Sequence, residues 1–124
     1  MDKKKVYSYR DLLVWQKARA LTKKGLRILR TVKRDFVSQA IIAQLVRSLF
    51  SVRSNIVEGW CSHQGKSFAS YLEISRGSTG ETEDWFSALY EEGYISRQDF
   101  EDISRDCQEL LAMLTGLVRK VRSK

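Results

Sequence analysis

Residues 14–34 read VWQKARALTKKGLRILRTVKR, and this stretch decides how the chain folds. Turned at 100° per residue, Val14, Ala18, Leu21, Gly25, Ile28, Leu29 and Val32 gather on one arc of a helix. The remaining surface is filled by Lys17, Arg19, Lys23, Lys24, Arg27, Arg30, Lys33 and Arg34, with no Asp or Glu among them. A wet helix face needs polar side chains, but not of one sign. Like charges three and four residues apart repel and weaken a helix. The arc of one sign therefore points to a use outside the helix, and a polyanion or an acidic protein surface is the natural partner.

The rest of the chain sharpens this asymmetry. Residues 1–62 carry fourteen Lys/Arg against four Asp/Glu, and residues 63–124 carry eight against eleven. The net charge of +7 is thus the sum of about +10 and −3, and the excess sits in the first helix and the basic segment before it. A chain of 124 residues with 43% hydrophobic and 30% charged residues is read as one domain, residues 1–124, with residues 1–10 as a basic tail. Its uninterrupted apolar runs are short and no apolar stretch follows Met1–Lys5, so neither a membrane span nor a signal peptide is expected and the cytoplasm is the expected location. Cys107 falls on an apolar helix face, and neither Cys61 nor Cys107 has metal-ligand spacing to His63, the single histidine. No metal and no cofactor are expected.

Three further helices follow by the same periodicity. The first is expected from an Asp11 N-cap to about Arg34, the second from about Ser38 to Trp60, the third from about Gly65 to Glu92, and the fourth from Ser96 to near the C-terminus. Phe68, Tyr71, Leu72, Ile74, Trp85, Phe86 and Leu89 are placed on the apolar side of the third helix. In the fourth, Phe100, Ile103, Cys107, Leu110, Leu111, Leu114, Leu117, Val118 and Val121 form a sustained stripe. Gly93 suits the position just past a helix end. No segment alternates as a strand does. Four amphipathic helices with short connections give an all-α, antiparallel up-down-up-down four-helix bundle.

The second helix carries another ordered set. Gln44, Arg47, Ser51, Asn55 and Glu58 recur at spacings of three and four, so they share a face. That face is either solvated or a hydrogen-bonded seam between helices or subunits. Arg47 and Glu58 are about 16 Å apart along the axis and cannot pair with each other. Arg76, Glu81 and Glu83 of the third helix are candidate partners. Arg53 interrupts the apolar arc, where an unpaired guanidinium is costly unless it reaches an edge or an interface. Ser75, Ser78, Thr79 and Thr82 interrupt the arc of the third helix and bring hydroxyls that need partners.

Asp11-Leu12-Leu13-Val14-Trp15-Gln16-Lys17-Ala18 resembles the opening signature of the four-helix bundle proteins encoded by intervening sequences in bacterial 23S ribosomal RNA genes. Gln44 through Arg47 to Ser51, then Ser54-Asn55-Ile56-Val57-Glu58-Gly59, resembles that family's second-helix motif. Gly77-Ser78 with Glu81, and Gly93-Tyr94-Ile95, resemble its third-helix motif and final turn. The family includes the accessory variability proteins of diversity-generating retroelements, small basic bundles that form pentameric rings and bind a reverse transcriptase and its template RNA. The resemblance therefore implies a homopentamer, an RNA partner and a reverse transcriptase partner. Arg53 stands where the family has proline, and Thr79 and Thr82 stand where it has leucines.

Catalysis is not expected. There is no Gly-rich phosphate cradle, no nucleophile motif and no Glu-x-x-His pair for a di-metal bundle core. The expected function is RNA binding through Lys17, Arg19, Lys23, Lys24, Arg27, Arg30, Lys33 and Arg34, with Gln44, Arg47, Ser51, Arg53, Asn55, Glu58, Ser78 and Glu81 as the polar seam or interface. An oligomeric scaffold of the same family is the alternative. No aromatic platform is expected on the basic face, and Trp15 is placed at the core boundary.

Overall fold

A computed structural model describes residues 5–62 and 65–123. His63 and the first four residues of the basic tail lie outside the described residues. A 3-10 turn, Tyr9–Asp11, precedes four helices: α1 Leu13–Leu29, α2 Phe36–Cys61, α3 Gly65–Glu91 and α4 Arg97–Arg122. Each of α1 and α3 packs against both α2 and α4. Side-chain pairs fix the directions. Ser48 meets Thr82 and Glu58 meets Tyr71, so α2 and α3 run opposite ways. Glu83 meets Gln108 and Glu73 meets Arg122, and Lys24 meets Asp106 while Lys17 meets Glu109, so α4 opposes both α3 and α1. The bundle is antiparallel, up-down-up-down.

The core is apolar and continuous, from Trp15 and Leu21 on α1 through Leu45, Leu49, Val52 and Ile56 on α2 to Phe86, Leu89, Ile103, Cys107, Leu110 and Leu114. Burial pushes the Cys107 thiol up to about 12, so it is an inert core group. Two glycines are there for space. A Cβ on Gly25 would stand 2.9 Å from Leu49 Cδ1, and one on Gly59 would stand 2.7 Å from Tyr71 Cβ. Gly59 therefore lets α2 approach α3 and does not end the helix, which continues to Cys61. By length and composition alone α2 is, among the described helices, the one long and apolar enough to cross a bilayer, but its Leu45, Leu49, Val52 and Ile56 are buried in the bundle core. Ile74 is not on the apolar side of α3; it is 51% exposed.

The helix ends differ from expectation for local reasons. Asp11 does not cap α1. It accepts from the backbone N–H groups of Tyr7 and Ser8 at 2.8 and 3.1 Å and closes a capping box on the 3-10 turn, and Leu12 stands at the N-cap of α1. α1 ends at Leu29, not Arg34. The Arg34 guanidinium turns back and donates to the carbonyls of Leu29 and Val32 at 3.0 and 2.8 Å, meeting the unsatisfied acceptors of a helix C-terminus. α2 begins two residues before the expected Ser38 because Asp35 caps it, accepting from Val37 and Ser38 N–H. Gly93, at φ +81°, terminates α3: Tyr94 N–H donates to Leu89 and Gly93 N–H to Tyr90. The Tyr94 hydroxyl lies 2.7 and 2.8 Å from the two carboxylate oxygens of Asp35 and joins the α3–α4 turn to the α1–α2 connection.

Candidate nucleic-acid interface

The basic face divides into two sets. Lys17 Nζ lies 2.6 Å from Glu109 Oε2 and 3.4 Å from Asp106 Oδ1, and Lys24 Nζ lies 2.6 Å from Asp106 Oδ2. Both lysines are half-buried on the flank that α1 turns to α4. Burial works against the charge of Lys17, but Glu109 and Asp106 outweigh it and hold the ammonium above its ordinary range. Burial likewise opposes the Asp106 carboxylate, and Lys24 and Lys17 together hold it below its ordinary value. Arg34 is spent on the end of α1. These three are structural.

Arg19, Lys23, Arg27, Arg30 and Lys33 are exposed, with no carboxylate partner among the described residues. Arg19, Lys23, Arg27 and Arg30 follow at spacings of four, four and three, so they share one face at the side and end of α1. Measured round the helix from Trp15, Arg19, Arg30, Lys23 and Arg27 fall at about 40°, 60°, 80° and 120°. Lys24 and Lys17 fall near 180° and 200°. The unpaired cations therefore lean to the α2 side of α1 and the paired ones to the α4 side.

The second set of expected residues forms a ladder between α2 and α3. Arg47 pairs with Glu81 and takes the Gln44 Oε1 at 3.1 Å, and Trp85 Nε1 donates to the same Glu81. Ser51 and Ser78 hydroxyls are 2.8 Å apart, and Asn55 Nδ2 donates to Ser51 O and Oγ. Glu58 accepts from the Tyr71 hydroxyl at 3.2 Å, which raises the phenol's pKa by favouring its neutral, donating form. The interrupting hydroxyls all find partners: Ser75 donates to Val52 O, Thr79 to Ser75 O, and Thr82 to Ser48 Oγ or Ser78 O. The face is both solvated and bonded: Gln44, Arg47 and Glu58 are exposed, Ser51 and Asn55 are half-buried, and the bonds run between helices of a single chain. Of the expected partners only Glu81 serves it. Arg76 pairs with Glu73 and donates to Thr115, and Glu83 accepts from Ser104 and Gln108.

Arg53 reaches the edge of the apolar arc and lies over the Trp15 ring, 5.3 Å from its centroid. Arg10 lies 5.2 Å from the same ring, and Tyr9 meets Trp15 edge-on at 5.3 Å. A cleft of about 400 Å³ opens here between α1 and α2, lined by Tyr9, Trp15, Phe50, Arg53, Ser54 and Glu58 among others. Sequence reasoning missed Tyr9, Arg10 and Phe50, because nothing local couples a pre-helical tail to the second helix. It also missed Asp106 and Glu109, although a carboxylate pair three apart on α4 was a visible complement to Lys17 and Lys24. Among the described residues no group of three His, Cys, Asp or Glu side chains converges as a metal site would.

The fold and this face define a class: a small all-α bundle with a one-sided cationic surface. The chain belongs to the 23S rRNA-intervening sequence protein family, whose model matches residues 10–116. Among solved structures it is similar to a protein of unknown function from the S23 ribosomal protein family of Bacteroides thetaiotaomicron VPI-5482. The TM-score is 0.76 at 24% identity, covering 86% of this chain and 98% of that one. No curated protein matches the chain.

Proposed function

We propose that this chain is a non-enzymatic, cytoplasmic RNA-binding accessory protein that works as a homo-oligomer. One observation carries the reading: Arg19, Lys23, Arg27 and Arg30 present four charges on one rigid face with no carboxylate answering them among the described residues. Such cations neutralise phosphates and release counterions, which gives affinity without sequence reading. In a ring the face is repeated, and weak contacts then add through avidity. The finer reading follows the resemblance: a homopentamer that assists the reverse transcriptase and template RNA of a diversity-generating retroelement. The second reading is an oligomeric scaffold of the same family, in which the acidic second half of a neighbouring copy takes the basic face. The uneven charge of residues 1–62 and 63–124 favours that reading as well.

The test is light scattering and fluorescence anisotropy on the full chain with a labelled RNA hairpin across a salt series. The expected result is an oligomer whose affinity falls with salt, with a log–log slope of about −3.6 for each protomer that makes four phosphate contacts to the duplex stem. Replacing Arg19, Lys23, Arg27 and Arg30 by Glu abolishes binding and leaves mass and helicity unchanged. Loss of mass in that variant decides for the scaffold. Retained binding removes the face from the RNA reading.

A further inference from the structure

The cleft between α1 and α2 has the wrong make-up for a phosphate. A carboxylate, Glu58, stands in its wall, and three aromatic side chains, Tyr9, Trp15 and Phe50, surround it. Phe50 is a large apolar residue left 44% exposed in the middle of a helix. Trp15 is 4% exposed, and its indole N–H is buried without an acceptor, a rare state for a polar group in a finished fold. Arg10 and Arg53 lie over this indole, and no carboxylate among the described residues holds either of them. Both are therefore free to lift away. The unpaired cations of α1 lean towards the same side, with Arg19 one turn along from Trp15.

We propose that the cleft receives one unpaired base of the bound RNA, and that guanine is the preferred base. This rests on the nucleic-acid reading above and adds to it a point of sequence discrimination. The Phe50 ring and the Arg53 guanidinium offer flat faces of the kind on which splayed-out bases stack. The Glu58 carboxylate accepts one bond from Tyr71 through Oε1 and has capacity for more. Guanine alone presents two adjacent donors, its ring N–H and its amino group, to a carboxylate. Adenine and cytosine present one amino group beside an acceptor nitrogen. Uracil presents one N–H between two carbonyls that a carboxylate repels. Arg19 lies one turn along α1 from Trp15, so a strand held by Arg19 and Lys23 would leave a neighbouring base within reach of this cleft.

The test uses the full-length protein and two fluorescein-labelled single strands, an oligouridine twelve residues long and the same strand with one central guanine. Anisotropy at low salt is expected to give about tenfold tighter binding of the guanine strand. Phe50→Ala and Glu58→Gln are each expected to bring that ratio close to one, with unchanged circular dichroism, while Arg119→Gln on the far side of the bundle keeps it. Equal affinity of the wild type for the two strands overturns the base site and leaves the basic-face reading standing. Failure to bind either strand overturns the base site, and the hairpin titration above then decides the basic-face reading on its own. A ratio that survives in Phe50→Ala and Glu58→Gln shows discrimination elsewhere on the molecule and overturns this placement.

Discussion

Asp106 on α4 holds Lys24 on α1 at 2.6 Å and takes Lys17 from the same helix at 3.4 Å. One carboxylate thus answers two members of a run of eight cations that look equivalent in sequence. Substitution separates the two sets. Asp106→Asn is expected to cost about 2 kcal/mol of stability, as the loss of charge-assisted hydrogen bonds in a half-buried place. It is expected to leave RNA affinity within twofold. Replacing Lys23 and Arg27 by Gln is expected to do the reverse. Urea unfolding and anisotropy on the same samples check both.

The ion pairs also set the response to pH. Asp106, held below its ordinary 3.8, contributes stability that is complete above that value and is lost as pH falls through the depressed one. Asp35, lowered by Ser38 N–H and the Tyr94 hydroxyl, and Glu73, lowered by Arg122, act in the same direction. Lys17, raised above 10.5, contributes stability that is complete below that value and is lost as pH rises through the raised one. Thermal melts are expected to show a plateau between these limits, falling below about pH 4 and above about pH 10. In Asp106→Asn both falls are expected to be shallower, since Lys17 loses a partner with it.

The glycines divide by what surrounds them. Gly59→Ala places a methyl group 2.7 Å from Tyr71 Cβ and 3.4 Å from Phe68 Cα, neither of which can rotate away. A loss of about 2 kcal/mol is expected from the overpacking. Gly77 and Gly80 lie inside α3, and a methyl group on either would meet nothing within 4 Å. Gly77→Ala and Gly80→Ala are therefore each expected to add about 0.5–1 kcal/mol through helix propensity. Chemical denaturation of the three variants gives opposite signs if the α2–α3 approach is as close as described.

The seam permits a double-mutant cycle. Thr82 Oγ1 lies 2.9 Å from Ser48 Oγ, and both side chains are fully buried. Thr82→Val is expected to cost about 1–2 kcal/mol, because it strips a partner from Ser48 inside the protein. The double variant Ser48→Ala with Thr82→Val is expected to cost less than the sum of the single changes, with a coupling of at least about 0.5 kcal/mol. Additive losses would mean that the two hydroxyls do not depend on each other.

The sequence made the helices legible because Leu21, Ile28, Leu45, Leu49, Leu110 and Leu114 recur at helical spacing and nothing competes with that period. It placed the start of α2 at about Ser38, whereas Ser38 is the third residue of the helix and completes the capping box that Asp35 opens. The stripe from Lys17 to Arg34 was legible as charge and not as availability. Which of its members are free is decided by Asp106 and Glu109, and pairing across helices leaves no mark within α1. The ladder of Gln44, Arg47, Ser51, Asn55 and Glu58 was visible as a face. Ser78 and Glu81 were already in the expected set, but which residues they pair with, and Tyr71 as the partner of Glu58, depend on the register of α2 against α3.

The Asp35–Tyr94 clasp gives the molecule an asymmetry of its own. At that end of the bundle two connections are latched into a single stiff rim, and Arg30 and Lys33 stand at its border. A polyanion that bound there, as the proposed function has it, would meet two connections already joined, and less of its binding energy would go into ordering the protein. If the proposed nucleic-acid reading holds, selectivity at this rim would come from the fit of the incoming strand to a contour the clasp already holds together.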